Sequence, residues 1–215
     1  MRDMKSVLAS RFTPHSSRLG VVILGAGASV RMGRPKLLLP WRGATVIGEI
    51  LSQWRELGAT QIGIVMRPND AALAAELDRL NFPRAERIEN PQPERGMFSS
   101  IVCAANWDGW RKEISDWAIA LGDQPHLQTA TLRTLLEFSA QHPAAICQPA
   151  ADGRSGHPVV LPRAAWAELK TTATATLKDF LRETTVPCAQ CRVDDHGLPL
   201  DLDTPDDYRR LTRAA

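Results

Sequence analysis

Apolar positions along the chain fall into two alternating patterns. Apolar-rich runs of strand length occur at Val21–Leu24, Gln61–Met66, Ala85–Glu89, Trp117–Leu121, Ala144–Cys147 and Pro158–Leu161. Between most of them the apolar residues recur every three or four positions, as on one side of a helix. Thr45–Leu57 gathers Val46, Ile47, Ile50, Leu51, Trp54 and Leu57; Asp70–Leu80 gathers Leu73, Leu77 and Leu80. Ser99–Trp107 and Leu127–Phe138 also read as helices. Strands alternating with helices predict a mostly parallel sheet covered on both faces, and strands without polar alternation fit burial on both sides. The expected fold is therefore α/β, a three-layer sandwich around a Rossmann-like sheet. Near the end of the chain a short strand is expected to finish at Leu200–Asp203. Thr204 then reads as a helix N-cap, Pro205 as the first helical residue, and Asp206 and Asp207 as its first turn.

Composition narrows the class. A chain of 215 residues suits one domain. The expected division is a polar tail over 1–19 and one domain over 20–215. The tail lacks the apolar core of a secretion signal, and no apolar run approaches the ~20 residues of a membrane span, so cytoplasmic residence is the default. Lys and Arg number 26 against 24 Asp and Glu, a net +2 too slight to call for nucleic acid or a membrane surface. Cys188-Ala-Gln-Cys191 has no second pair to complete a four-ligand zinc site, and reads as two ordinary residues in or beside a strand.

The stretch Leu24-Gly-Ala-Gly-Ala-Ser-Val-Arg-Met-Gly-Arg-Pro-Lys36 directly follows the first predicted strand. Small residues there pack no core. Successive backbone N–H groups in such a loop form a concave anion site, and Gly25 and Gly27 let the backbone approach a phosphate. Arg31 can grip phosphate oxygens as a fork, and Lys36 adds a mobile point charge. Two familiar phosphate loops do not fit. A P-loop needs a glycine where Met32 stands and Ser or Thr where Leu37 stands; a dinucleotide fingerprint needs a third glycine where Val30 stands.

The same stretch resembles the opening motif of the MobA-like nucleotidyltransferases, in particular the molybdenum cofactor cytidylyltransferase branch. The resemblance continues in family order. Asn90-Pro-Gln-Pro-Glu-Arg-Gly-Met-Phe-Ser-Ser-Ile101 is similar to N-P-x-W-x-x-G-M-x-S-S-[LI], and Leu121-Gly-Asp-Gln-Pro125 to L-[GA]-D-[QM]-P. Gly156-His-Pro-Val159 is similar to G-[NH]-P-V, and Asp201-Leu-Asp-Thr-Pro-Asp-Asp-Tyr208 to D-[IL]-D-T-P-[ED]-D-[YL]. Together these motifs run from about residue 20 to about 212.

The resemblance implies a fold of nucleotide-diphospho-sugar-transferase type and a transfer of NMP from an NTP to a phosphorylated acceptor, with release of pyrophosphate. It implies CTP as the nucleotide and a molybdopterin-type cofactor as acceptor, with a possible transient contact to a molybdoenzyme. Leu24, Gly25, Ala26, Gly27, Ala28, Ser29, Arg31 and Lys36 would bind nucleotide, with Ala26 and Gly27 against the base and Ser99 or Ser100 hydrogen-bonding near it. Arg31, Lys36 and Asp123 would be catalytic. Asp123 and Asp203 would hold Mg²⁺, which takes one or two carboxylates besides phosphate oxygens and water; Asp201 stays open as an alternative to Asp203. Arg154 and His157 would contact the acceptor.

One region departs from the pattern. Thr172-Ala-Thr-Ala-Thr-Leu-Lys-Asp179 lacks the G-D-x-G-A-R of the branch, which leaves the acceptor open. GTP or another phosphorylated acceptor, or a non-catalytic nucleotide-binding delivery protein, are the alternatives. A Rossmann-type oxidoreductase would want an acid closing the second strand, where Met66-Arg67-Pro68 stands.

Overall fold

Strand β1 (Leu19–Leu24) lies near the middle of the molecule, with parallel neighbours on both sides. The computed structural model describes residues 18–214. The expected tail falls outside these residues except for its end, where Leu19 already belongs to β1. A small hairpin, β2 (Pro40–Trp41) and β3 (Ala44–Thr45), leads into α1 (Val46–Glu56), β4 (Gln61–Met66), α2 (Ala71–Arg79) and β5 (Arg87–Glu89). Then come α3 (Met97–Ala105), β6 (Asp116–Leu121), α4 (Thr129–Gln141), β7 (Ile146–Ala151), β8 (Arg154–Ser155) and β9 (Val159–Pro162). The chain closes with α5 (Arg163–Leu169), α6 (Leu177–Glu183), β10 (Cys188–Arg192) and α7 (Pro205–Ala214).

The main sheet has the order β10-β7-β9-β6-β1-β4-β5, with β8 attached to β7. The β6, β1, β4 and β5 strands run parallel, as do β10 and β7; β9 runs antiparallel to both of its neighbours. Side chains alternate between two cores. Val21 and Ile23 join Ile64, Ala118 and Val160 under α1, α2 and α4, whereas Val22 joins Val65, Ile119 and Leu161 under α3, α5 and α6. Such two-sided burial is the three-layer arrangement the unbroken apolar strands require.

Local chemistry sets the helix starts. The Thr45 hydroxyl accepts from Gly48 N at 3.2 Å and Asp70 Oδ1 from Leu73 N at 3.0 Å, capping α1 and α2. Thr204 Oγ1 accepts from Asp207 N at 3.2 Å while Asp207 Oδ2 accepts from Thr204 N at 3.0 Å, so α7 begins with a reciprocal capping box after Thr204, as its sequence predicts. Four tryptophans pack in the second core region: Trp117 stacks on Trp166 at 4.7 Å, and Trp110 meets Trp107, Trp117 and Trp166 edge-on.

Several expectations are corrected. Arg84–Glu86 forms a 3-10 turn, so β5 starts at Arg87 rather than Ala85. No strand ends at Asp203: residues 194–203 are irregular, because their backbone bonds to neighbouring loops instead of a sheet ladder. Strand alternation therefore says nothing about Asp201 and Asp203. The helix after Gly96 begins at Met97, and Gly96 itself, at φ 88°, holds the cap position. The hairpin, α5 and α6 had no signal strong enough to be read from the pattern. Among the described residues no helix is long and apolar enough to cross a membrane.

Candidate active site

Neighbouring parallel strands β1 and β6 end together, Leu24 opposite Leu121. Ligand crevices of open α/β sheets form at such carboxyl ends. Their junction is tight. Gly25 N donates to Val65 O at 2.7 Å, and Gly122 N to Leu24 O at 3.2 Å. A Cβ on Gly25 would lie 3.0 Å from Val65 O, and one on Gly122 2.6 Å from Leu24 O. These two glycines are thus demanded by the packing of the strand ends. Gly27 differs: nothing lies within 4 Å of where its Cβ would be, so its bare backbone faces open space.

Beyond Gly27 the loop folds back on itself. Ser29, at φ 51°, accepts from Met32 N and Gly33 N through its carbonyl, while its hydroxyl accepts from Lys36 N at 3.2 Å. This fold delivers Lys36 to the end of β6. Its ammonium donates to Asp123 Oδ2 at 2.9 Å and to Asp203 Oδ1 at 2.7 Å, and Arg31 Nη2 donates to Asp203 Oδ2 at 2.5 Å. Partial burial opposes the Lys36 charge, but the bonds to Asp203 and Asp123 outweigh it and hold the amine above its ordinary value. Of the two late acids, Asp203 meets both basic side chains. Asp201 instead accepts from Gln124 Nε2 at 3.1 Å, and loss of solvent together with the Asp123 and Asp203 charges pushes its carboxyl upward.

Asp203 arrives here because the 194–203 segment is laced to the loop after β6. Leu202 N donates to Asp123 O at 3.1 Å. The buried Gln124 amide lies within 3.4 Å of Leu198 O and 3.3 Å of Leu200 O, and His126 Nε2 pairs with Gly197 O at 3.1 Å. Asp195, 2% exposed, accepts from Thr131 Oγ1 at 2.7 Å and Gln128 N at 3.2 Å, tying the segment to the start of α4. Gln124, His126 and Asp195 had no role in the sequence reading. Gln124 stood inside a quoted motif, but only burial reveals what its amide does.

His157 lies near enough to feel the charge of Asp123. Its Nε2 is buried without a partner, and burial lowers the imidazole to about 4 although the charge of Asp123 pulls the other way. Arg154 stands exposed on β8, and its side chain makes no ion pair or hydrogen bond among the described residues. Ser99 and Ser100 gather on Asn90, whose Nδ2 donates to their hydroxyls at 2.9 and 3.0 Å. Ser100 is buried and committed there, while Ser99 remains half-buried beside a groove of about 1060 Å³ that reaches Thr172–Ala175. Among the described residues the exposed large hydrophobics, Val30 and Met97, sit on the glycine-rich loop and at the start of α3.

Two carboxylates close enough to share one ammonium are a donor set that a hard divalent ion accepts, provided phosphate oxygens or water supply the rest. Among the described residues no group of three or more His, Cys, Asp or Glu forms a closed metal cage. An open site shared with a phosphorylated ligand is the kind of metal centre these residues fit.

Comparison with known proteins identifies the family. A family model for the MobA-like NTP transferase domain matches residues 21–188. The nicotine blue oxidoreductase of Paenarthrobacter nicotinovorans is 29% identical over 200 residues, 88% of this chain and 94% of its own length. The bifunctional protein GlmU of Clavibacter sepedonicus is 32% identical over 131 residues, 60% of this chain, which spans 26% of that longer relative. Among solved structures, Rv0371c from Mycobacterium tuberculosis H37Rv superposes with a TM-score of 0.71 at 29% identity, covering 92% of this chain and 98% of its own. Rv0371c in complex with manganese matches with a TM-score of 0.67 at 26% identity, covering 92% and 100%.

Proposed function

We propose, since the chain belongs to the MobA-like NTP transferase family, that it moves CMP from CTP to the phosphate of a molybdopterin-type acceptor and releases pyrophosphate. The observation that carries this reading is the Lys36 bridge between Asp123 and Asp203, on the same loop that leaves the backbone of Gly27 open.

The chain's part is to hold and align. Backbone N–H groups around Gly27 and Ala28 would take the triphosphate, and Arg31 and Lys36 would neutralise it. Leu24 to Ser29 would line the nucleotide on one side and Ser99 on the other. Ser100 would act through Asn90 and not by contact. Asp123 and Asp203 would hold Mg²⁺, which when bound stabilises charge developing on the phosphate oxygens. The manganese complex of Rv0371c supports a divalent ion in this fold. His157, neutral near pH 7 and with an unpartnered ring nitrogen, would hydrogen-bond the acceptor; Arg154 would reach it from the rim of the crevice. No protein nucleophile is needed, because the acceptor phosphate attacks the α-phosphorus and pyrophosphate leaves. Catalysis is then positioning and charge stabilisation.

The name of the Paenarthrobacter relative favours a second reading, oxidoreduction of a dye-like substrate. One panel separates the two. Each NTP with Mg²⁺ is offered against molybdopterin-type and simpler phosphorylated acceptors, with pyrophosphate as readout, and NAD(P)H oxidation with a quinonoid dye is run in parallel. CTP-dependent pyrophosphate release is expected. Turnover of the dye with no pyrophosphate from any NTP would overturn the transferase reading.

A further inference from the structure

We infer that Lys36 is the resident cation of the acid pair, so that a divalent ion and a nucleotide enter this site as one linked event. The inference rests on the reading above, in which Asp123 and Asp203 hold the ion of a nucleotidyl transfer. Its ground is the contact geometry. One ammonium lies 2.9 Å from Asp123 Oδ2 and 2.7 Å from Asp203 Oδ1, which is the position between two carboxylates that a metal ion would need. Arg31 holds the remaining oxygen of Asp203 at 2.5 Å. Two acids therefore face two bases, and both carboxylates are paired within the protein.

A divalent ion arriving alone has to displace Lys36. The displaced ammonium cannot go far, because the lysine's own N–H is tied to Ser29 Oγ at 3.2 Å and its side chain is only 14% exposed. It would stand beside the ion, and like charges in a partly buried site repel strongly. A triphosphate alone meets the opposite obstacle, the two carboxylates. Bound together the ligands remove each other's cost. The ion takes over the carboxylates, and the phosphate oxygens take Lys36 and Arg31. By linkage, each ligand then raises the affinity for the other by the same factor.

The test uses Mn²⁺ as probe, with free Mn²⁺ read by electron paramagnetic resonance during titration of the full chain. Without nucleotide, the wild type is expected to bind Mn²⁺ weakly. Lys36→Met should tighten it at least tenfold, and Lys36→Arg, which keeps the cation, should leave it weak. Asp123→Asn in the Lys36→Met background should erase the gain, since the ion then lacks the pair. Adding α,β-methylene-CTP should tighten Mn²⁺ at least tenfold in the wild type and far less in Lys36→Met. Folding is checked by circular dichroism, with Lys36→Gln as replacement should the methionine variant fail to fold. Wild type that holds Mn²⁺ as tightly as the folded Lys36→Met or Lys36→Gln variant overturns the inference. If pyrophosphate is released but Lys36 has no effect on Mn²⁺, this inference falls alone. If Lys36 gates Mn²⁺ but no NTP turns over, the proposed function falls alone.

Discussion

Asp123 and Lys36 are 87 positions apart and Lys36 and Asp203 are 167 apart, yet the three side chains form one contact. At the residue scale their roles are separable. Asp123→Ala is expected to abolish pyrophosphate release while the melting curve stays close to wild type, since the carboxylate is partly exposed and buries no core. Lys36→Ala should weaken NTP binding at least tenfold, about 1.4 kcal/mol, measured by titration calorimetry. His157 makes a prediction in pH. Its folded value of about 4 lies below the ordinary 6.5. As pH falls from 6.5 toward 4 the unfolded chain takes up a proton that the folded chain refuses, so stability present above 6.5 is lost over that window. The urea midpoint should fall between pH 7 and pH 5, and His157→Gln should flatten the slope; identical slopes would remove His157 from the account. At this scale the sequence was partly legible. Arg31 and Lys36 could be named as phosphate contacts from the small-residue loop that carries them, whereas Asp123 was named from the family resemblance. The choice between Asp201 and Asp203 could not, because it depends on which carboxylate Gln124 claims.

At the scale of elements, the strand ends and the loops they launch decide the outcome. Gly122 and Gly27 are both glycines in quoted motifs, yet they answer to different neighbours. Gly122→Ala puts a Cβ against the Leu24 carbonyl, backbone that cannot turn aside, and should cost about 1–3 kcal/mol of stability in denaturant titration. Gly27→Ala meets no atom within 4 Å and should leave stability within about 0.5 kcal/mol of wild type. It should nonetheless weaken NTP binding, because the methyl group would occupy the space beside the open backbone. Loss of stability in Gly27→Ala, or unchanged affinity, would contradict that division. The helices were legible where a local signal was strong, the apolar stripe in α1 and the cap at Thr204 in α7. The 194–203 segment is irregular where a strand end was expected, since its order comes in part from bonds to the loop after β6 and not from its own pattern.

For the whole molecule, the acid pair exists only while two distant segments stay joined. Gln124 carries much of that junction, with one buried amide facing Leu198 O, Leu200 O and Asp201 Oδ1. Gln124→Ala would strand the two carbonyls, a loss of about 1–3 kcal/mol if they stay dry. Amide exchange over residues 198–203 should quicken, and Mn²⁺ bound in the presence of nucleotide should weaken, while exchange in β1 and β4 stays slow. Equal protection of 198–203 in variant and wild type would mean that Leu202 N and the Asp195 contacts suffice.

What the sequence determined by itself is the alternation of strands and helices, the two-sided burial of the sheet, the apolar stripe of α1, the α7 cap and the small-residue loop after β1. Each depends on residues within one or two turns of each other, or on the simple rule that an unbroken apolar strand must be covered on both faces. The tertiary structure alone decided that β9 runs against its neighbours, that Asn90 collects Ser99 and Ser100, that the His157 ring is buried while Arg154 is exposed, and that Lys36 lies between Asp123 and Asp203. Those outcomes turn on distances between segments far apart along the chain, where competition for a buried amide or an ammonium is settled by packing rather than by local pattern.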